Sequence, residues 1–366
     1  MRAHQRPLGR VVPGAVIALA LALAACGGDD DAAANTPAPV ETPAPSAEPT
    51  VQPTEQPTEE PTSAPGVAEP SEPPDESTGE QAAGTVTIAH YSGTDTVPID
   101  PETVVVLDTG VLLTLDALGI EVDGFASLGV PTPERYAGVV EDPELVQVGT
   151  AFEPDFEAIN ALEPDLIIVA TRSSATYPEM KKIAPTVDLT FDEGVDFMTA
   201  VADRHRAIGQ IFGVEDEVEA ALAEIDAEVA RVGDLTADAG SALIVMTSGT
   251  EVSAYGPGSR FGVVHDVLGY AAAEESLERD ATHGDVVSFE FIAEAEPDVL
   301  FVIDRGSAVG EDGQLAEAVL DNELVRDTPA WRNDRVVYVD GYSWYIASNS
   351  IPAMRAIIAD VEASVS

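Results

Sequence analysis

The chain runs to 366 residues and carries 66 Asp and Glu against 17 Lys and Arg, a formal net charge of −49. So acidic a chain is excluded from electrostatic binding to nucleic acid or to an anionic lipid surface. No Gly-x-Ser-x-Gly, Ser-x-x-Lys or His-Glu-x-x-His motif occurs, which argues against a hydrolase.

Residues 1–26 read as a leader. Arg2, Arg6 and Arg10 form a positive n-region, and Val11 to Ala22 is an apolar run of signal-peptide length, short for a membrane span. The run ends in Leu23-Ala24-Ala25-Cys26-Gly27, which resembles a bacterial lipobox. That resemblance implies cleavage before Cys26, diacylglycerol on its sulfur, and a mature protein anchored outside the cytoplasmic membrane. Cys26 is the single cysteine, so no disulfide supports the fold. Residues 27–84 follow as a tether, with 12 prolines and 13 Asp/Glu and no Lys or Arg. Such a segment buries too little apolar surface to offset its ordering entropy, and proline and charge repulsion keep it extended.

From Thr85 onward the chain is long enough for a two-lobed α/β protein. With the tether's 13 acids and the leader's three arginines set aside, it still holds 53 Asp and Glu against 14 Lys and Arg. A surface of that kind stays hydrated in high salt and suggests a saline habitat. Thr103 to Leu107 is an expected buried strand, Asp108 to Leu118 a helix, Val122 to Phe125 the start of the next unit, and Leu166 to Ala170 another strand. Phe197, Val201, His205 and Ile208 share one helical face, and Gly213 interrupts. A second helix from about Glu215 to Val232 follows the 3.6-residue period through Val218, Leu222, Ile225, Val229 and Val232, long enough to act as a strut between lobes. Beyond it come strands at Ala242–Met246, Val299–Ile303 and Val336–Val339, a helix start at Gly262–Leu268, and a closing helix at Ile351–Val365. The expected layout is leader 1–26, tether 27–84, first lobe 85–214, connecting helix 215–237 and second lobe 238–366.

One stretch occurs twice. Residues 155–172, DFEAINALEPDLIIVATR, match residues 288–305, SFEFIAEAEPDVLFVIDR, at a constant offset of 133. Each copy reads as a short helix, a Glu-Pro-Asp turn and a buried strand ending in arginine, which implies two similar lobes. In open α/β sheets ligands bind beyond the carboxyl ends of strands, so Arg172 and Arg305 point at the interlobe cleft. Arg260 follows the Gly-rich turn Gly256-Pro257-Gly258-Ser259 ahead of a helix, which also suits an anion. For Arg305 the competing explanation is a local salt bridge, with Asp304 as the obvious partner. Three cations in one cleft call for a strongly anionic ligand.

Two repeated lobes, one connecting helix, a lipobox and an acidic tether together resemble the helical-backbone class of ABC-transporter substrate-binding lipoproteins, in particular the catecholate-type ferric-siderophore binders. The residues that carry this are Gly258-Ser259-Arg260-Phe261-Gly262, Val263 to Gly269, Thr282-His283-Gly284, Ser288-Phe289-Glu290-Phe291-Ile292, Phe301 to Arg305, and Trp344-Tyr345. The resemblance implies two Rossmann-like lobes with central parallel sheets, and a protein that catalyses nothing and has no cofactor of its own. Its expected partners are a ferric siderophore and an ABC permease dimer with its ATPase, and its expected state is a monomer. It also implies that His283 and Tyr345 complete the coordination of the bound ferric iron, a role that suits hard phenolate oxygen and imidazole. Tyr342 competes with Tyr345 for that role, and Trp344 is expected to line the pocket or pack beneath it. Glu157 and Glu290 lie where a carboxylate favours a helix N-terminus, and in the resembled family one such glutamate from each lobe docks on the permease. The alternatives are the same fold holding haem, or after it cobalamin or a hydroxamate siderophore. A bare divalent ion is disfavoured because His4, His90, His205, His265 and His283 form no His-x-His pair or cluster.

Overall fold

A computed structural model describes residues 84–191, 195–277 and 284–365. Cys26, His283 and residues 27–83 of the tether lie outside the described residues. The first strands, β1 (Thr85–His90) and β2 (Gly93–Pro98), form an antiparallel hairpin. Then come β3 (Val104–Val106), α1 (Thr109–Ala117), β4 (Gly124–Ser127), α2 (Glu134–Val140), β5 (Val146–Thr150), α3 (Phe156–Ala161), β6 (Leu166–Val169), α4 (Tyr177–Met180) and β7 (Thr186–Asp188). A 3₁₀ turn, Thr171–Thr176, links β6 to α4. The sheet order β5-β4-β3-β6-β7 is parallel throughout. The chain starts at the central strand and winds out to each edge in turn, so the order reverses between β3 and β6, and a crevice opens at their carboxyl ends.

Two helices follow, α5 (Phe197–Phe212) and α6 (Glu215–Thr236). Gly213 ends α5 in the left-handed conformation, φ 66°, as a helix-terminating glycine does. The strut extends one turn past Val232, the last residue of its apolar series: Thr236 is buried, and its hydroxyl donates to the Gly233 and Leu268 carbonyls.

The second sheet uses β8 (Ser241–Ser248), β9 (Glu251–Tyr255), β10 (Ala271–Ala272), β11 (Asp285–Val286), β12 (Val299–Asp304) and β13 (Val336–Tyr338), in the order β11-β9-β8-β12-β13 with β10 also on β8. Helices α7 (Val263–Asp266), α8 (Phe289–Ala295), α9 (Arg305–Val309), α10 (Ala316–Leu320), α11 (Glu323–Arg326), α12 (Pro329–Arg332) and α13 (Ile351–Ala363) surround it. β10, β8, β12 and β13 are parallel, but β9 and β11 depart from the expected all-parallel sheet: β9 runs antiparallel to β8, and β11 antiparallel to β9. The cause is local. Gly249, at φ 59°, turns β8 straight back into β9, where the first sheet has the α1 crossover between β3 and β4.

The repeat shapes both sheets in the same way. Asp165 accepts from the Glu102 and Thr103 backbone N–H groups, and Asp298 accepts from Ser241 N. Each thereby fixes the entry of the neighbouring central strand. Glu163 and Glu296, one repeat apart, both adopt left-handed φ values of 50° and 44° ahead of their prolines. The core is continuous across the two halves: Val111 and Leu115 of α1, Ile357 and Ile358 of α13, Phe261, Phe301 and Trp344 belong to one buried cluster.

Candidate functional site

The three arginines singled out in the sequence converge on one phenol. Tyr345 lies in a short π-helical turn, Tyr342–Ile346, between β13 and α13. The guanidinium carbons of Arg172, Arg260 and Arg305 stand 5.4, 4.8 and 5.9 Å from the centre of its ring. Arg172 follows β6, where Thr171 adopts φ 50° and turns the chain into the crevice. Its Nη2 and Nη1 donate to the Tyr345 and Ile346 carbonyls at 2.9 and 3.3 Å. Arg260 leaves the Gly-rich turn, which the Gly258 N–H closes on Asp266 at 2.6 Å. Its guanidinium also lies 4.8 Å from the Phe261 ring and donates to the Tyr345 carbonyl at 3.3 Å.

Arg305 opens α9 at the carboxyl end of β12. Its Nε donates to the Tyr345 hydroxyl at 3.4 Å, and its Nη1 to Ser248 Oγ at 3.3 Å and to Glu311 at 3.0 and 3.1 Å. Asp304 is not its partner: that carboxylate caps α9 by accepting from Ser307 N at 2.8 Å and also holds Ala316 N at 2.9 Å. Among the described residues, Glu311 is the only carboxylate bonded to any of the three guanidiniums. The cluster is therefore net cationic.

This setting acts on the phenol. Burial alone would raise the Tyr345 pKa, but the Arg305 hydrogen bond and the charges of Arg305, Arg260 and Arg172 outweigh it and hold the pKa below the ordinary 10.0. Burial in turn pulls the Arg260 guanidinium down, with Arg172 adding repulsion. Tyr255, nearby but lacking such a hydrogen bond, is pushed up by burial to about 12. A phenol eased toward its anion among fixed cations is a hard oxygen donor in an anion-binding setting.

Tyr342 and Trp344 turn away from this cluster. Tyr342 stacks on Tyr136 of α2, with centroids 5.5 Å apart, and burial raises its pKa to about 12. Trp344, for which lining the pocket and packing beneath it were both open, is fully buried. Its indole Nε1 donates to Asp360 at 2.8 Å and its ring stacks on Phe301 at 5.9 Å, so it supports the turn from beneath. Glu157 and Glu290 sit in the first turns of α3 and α8, as the repeat implies, and both are exposed. Thr150, the counterpart of His283 in the first copy, accepts from Glu153 N at 3.0 Å.

Sequence reasoning missed the contacts that bring the α2 region against the second half. Arg135 pairs with Asp340 and donates to Ser343 Oγ at 3.2 Å, and the Tyr136 hydroxyl lies 3.3 Å from the same Ser343. Gly310 meets Pro131 so closely that an added Cβ would lie 2.7 Å from the proline ring. Partners this far apart in sequence leave no local signal. Glu311, six residues past Arg305, lay within reach of a sequence argument.

Comparisons with known proteins fit this geometry. The family described as "Periplasmic binding protein" matches residues 104–342. The petrobactin-binding protein YclQ of Bacillus subtilis is 37% identical over 78% of this chain and 92% of its own. The ferric-anguibactin-binding protein FatB of Vibrio anguillarum is 35% identical over 75% of this chain and 86% of its own. Among solved structures, the periplasmic catecholate-siderophore binding protein VctP of Vibrio cholerae superposes with a TM-score of 0.72 at 32% identity, covering 76% of this chain and 100% of its own. With its two α/β halves, its cationic crevice and these relatives, the chain belongs to the periplasmic binding protein family.

Proposed function

We propose that this protein captures an anionic ferric siderophore of catecholate type at Tyr345 and delivers it to an ABC importer. The observation that carries the reading is the convergence of Arg172, Arg260 and Arg305 on the Tyr345 ring. Ferric catecholates carry several negative charges, and three guanidiniums with one countering carboxylate match them. An incompletely coordinated iron centre would take Tyr345 Oη as a ligand, with His283 as the second. Iron stays ferric and the ligand leaves unchanged, so no catalysis is assigned. Lipid on Cys26 and the acidic tether would hold the domain at the outer face of the cell membrane. Glu157 and Glu290, one on each half, would meet the two permease subunits. Charge reversal at both should abolish uptake with ligand affinity intact, and a loss of affinity would count against that role.

The deciding experiment is a tryptophan-quenching titration of the mature protein with ferric bis-catecholate, ferric tris-catecholate, a ferric hydroxamate and haem. Tight binding of a catecholate, weakened in His283→Ala and Tyr345→Phe for the bis-catecholate, is the expected result. Preference for the hydroxamate, or a Soret band with haem, overturns the catecholate reading.

A further inference from the structure

Arg172 and Arg305 are put in place by different means. Arg305 follows Asp304, which has an ordinary φ of −86°, and its guanidinium is held by Ser248 and Glu311. One repeat earlier than Asp304 stands Thr171, at φ 50°. A β-branched residue disfavours that left-handed conformation and keeps it only where the surroundings hold it.

The hold comes from a relay of two side chains. Thr171 N donates to Thr190 Oγ1 at 2.7 Å, and the same hydroxyl donates to Asp188 Oδ1 at 2.6 Å. A hydroxyl whose one proton is committed to a carboxylate presents its lone pairs elsewhere, here to Thr171 N. Asp188 ends β7 beside Val169 of β6 and is fully buried. A carboxylate so placed must be hydrogen-bonded, and both of its oxygens are. Thr190 N also donates to Oδ1 at 3.1 Å, while Ser92 Oγ and Ser174 Oγ donate to Oδ2 at 2.6 and 2.5 Å. Ser92 lies at the tip of the β1–β2 hairpin, and Ser174 lies in the same 3₁₀ turn as Arg172. Asp188 therefore cannot turn away from Thr190 without breaking bonds to two other segments.

We propose that Thr190, oriented by Asp188, is a positioning residue: it holds Thr171 in the left-handed conformation and thereby aims Arg172 at the Tyr345 turn. This rests on the ferric-siderophore reading and adds to it two residues that act through Arg172.

The test combines Thr190→Val with Arg172→Met and measures affinity for a ferric bis-catecholate by tryptophan quenching. Valine keeps the shape of threonine but neither accepts nor donates. Thr190→Val should weaken binding about fivefold, the scale of one hydrogen bond, and by less than about twofold once Arg172 is replaced. Thr190→Ser keeps the hydroxyl and should bind like the wild-type protein. In a Thr171→Gly background, where φ 50° needs no support, Thr190→Val should also cost less than about twofold. Unchanged affinity in Thr190→Val, or an equal loss with and without Arg172, overturns the positioning role. A second readout needs no ligand. Arg172 is one of the cations that lower the Tyr345 pKa, so the ultraviolet step of that phenol should move upward in Thr190→Val and stay in place in Thr190→Ser. A step that stays in place in Thr190→Val also overturns the role. Should no ferric catecholate bind the wild-type protein, the siderophore reading fails, and the phenol step decides the positioning role by itself.

Discussion

The two copies of the repeat agree along the strand and part company at its end. Leu189 N bonds the Val169 carbonyl beside β6, and Val339 N bonds the Val302 carbonyl beside β12, one repeat on. Asp165 and Asp298 hold the entering strands alike. The arginines then diverge. Arg172 grips main-chain carbonyls of the 342–346 turn, whereas Arg305 bonds the Tyr345 hydroxyl and is itself held by Ser248 and Glu311. Duplication preserved what the sheet needs and left the chemistry free to become one-sided. The second half supplies the phenol and the residue that tunes it, and the first half supplies a grip on the turn.

The largest expected effect tests a contrast between buried and exposed cations. In the first half, Arg204 and Asp108 are both buried and paired at 3.1 Å, and burial pulls the Arg204 guanidinium below its usual range. Asp108→Asn keeps the cap on Val111 N but removes the paired charge from that buried cation, leaving only the attraction of Asp188, and should cost about 3 kcal/mol in urea unfolding. Removing the exposed Glu311 partner of Arg305 should cost less than about 1 kcal/mol. Similar losses from the two would erase the contrast.

A pH series probes the same contrast through histidine. His205 is fully buried, and burial drops its pKa from 6.5 to about 4. Its folded-state pKa lies below the unfolded value, so the unfolded chain takes up the proton first as pH falls. The stability tied to neutral His205 is complete above about pH 6.5 and lost as pH falls toward 4, on the order of 3 kcal/mol. Subtracting the His205→Gln profile from the wild-type one isolates this contribution from the many carboxylates. His265 of α7 shifts in the same direction but is less enclosed, so the His265→Gln difference should be the smaller.

The arginines themselves come next. Arg305→Met removes both a charge and the bond to the Tyr345 hydroxyl, and should weaken ferric-catecholate binding by about a hundredfold. Arg172→Met loosens the turn through its carbonyls and should weaken binding by about tenfold. The titration that measures affinity also checks this order, and a larger loss from Arg172 would reverse the division of labour drawn from the repeat.

How far the sequence spoke follows from which contacts are local. Apolar runs such as Val104–Val106 and Val299–Ile303 are buried on both faces of their sheets, so they were legible as strands. The arginines were legible because a repeat places them at strand ends. The β9 return was not, since Gly249-Thr250 resembles any polar turn until its partner strand is known. Nor was the parting of Tyr342, Trp344 and Tyr345, because a π-helical turn breaks the 3.6-residue period by which faces are assigned. The pairing of Arg135 with Asp340 spans 205 positions and exists only once the halves pack.

The smallest effect is spectroscopic and separates two tyrosines three residues apart. Tyr345 is held below the ordinary phenol range by three arginines, while burial lifts Tyr342 to about 12. On raising the pH, ultraviolet absorbance should show an early single-tyrosine step that vanishes in Tyr345→Phe and persists in Tyr342→Phe. Removing the Arg305 hydrogen bond with Arg305→Met should move that step upward, since the bond stabilises the phenolate. Persistence of the early step in Tyr345→Phe would mean that another phenol carries it and that the arginines surround Tyr345 without tuning it. Their convergence would then serve the ligand's charge alone, and the case for Tyr345 as an iron ligand would lose its electrostatic support.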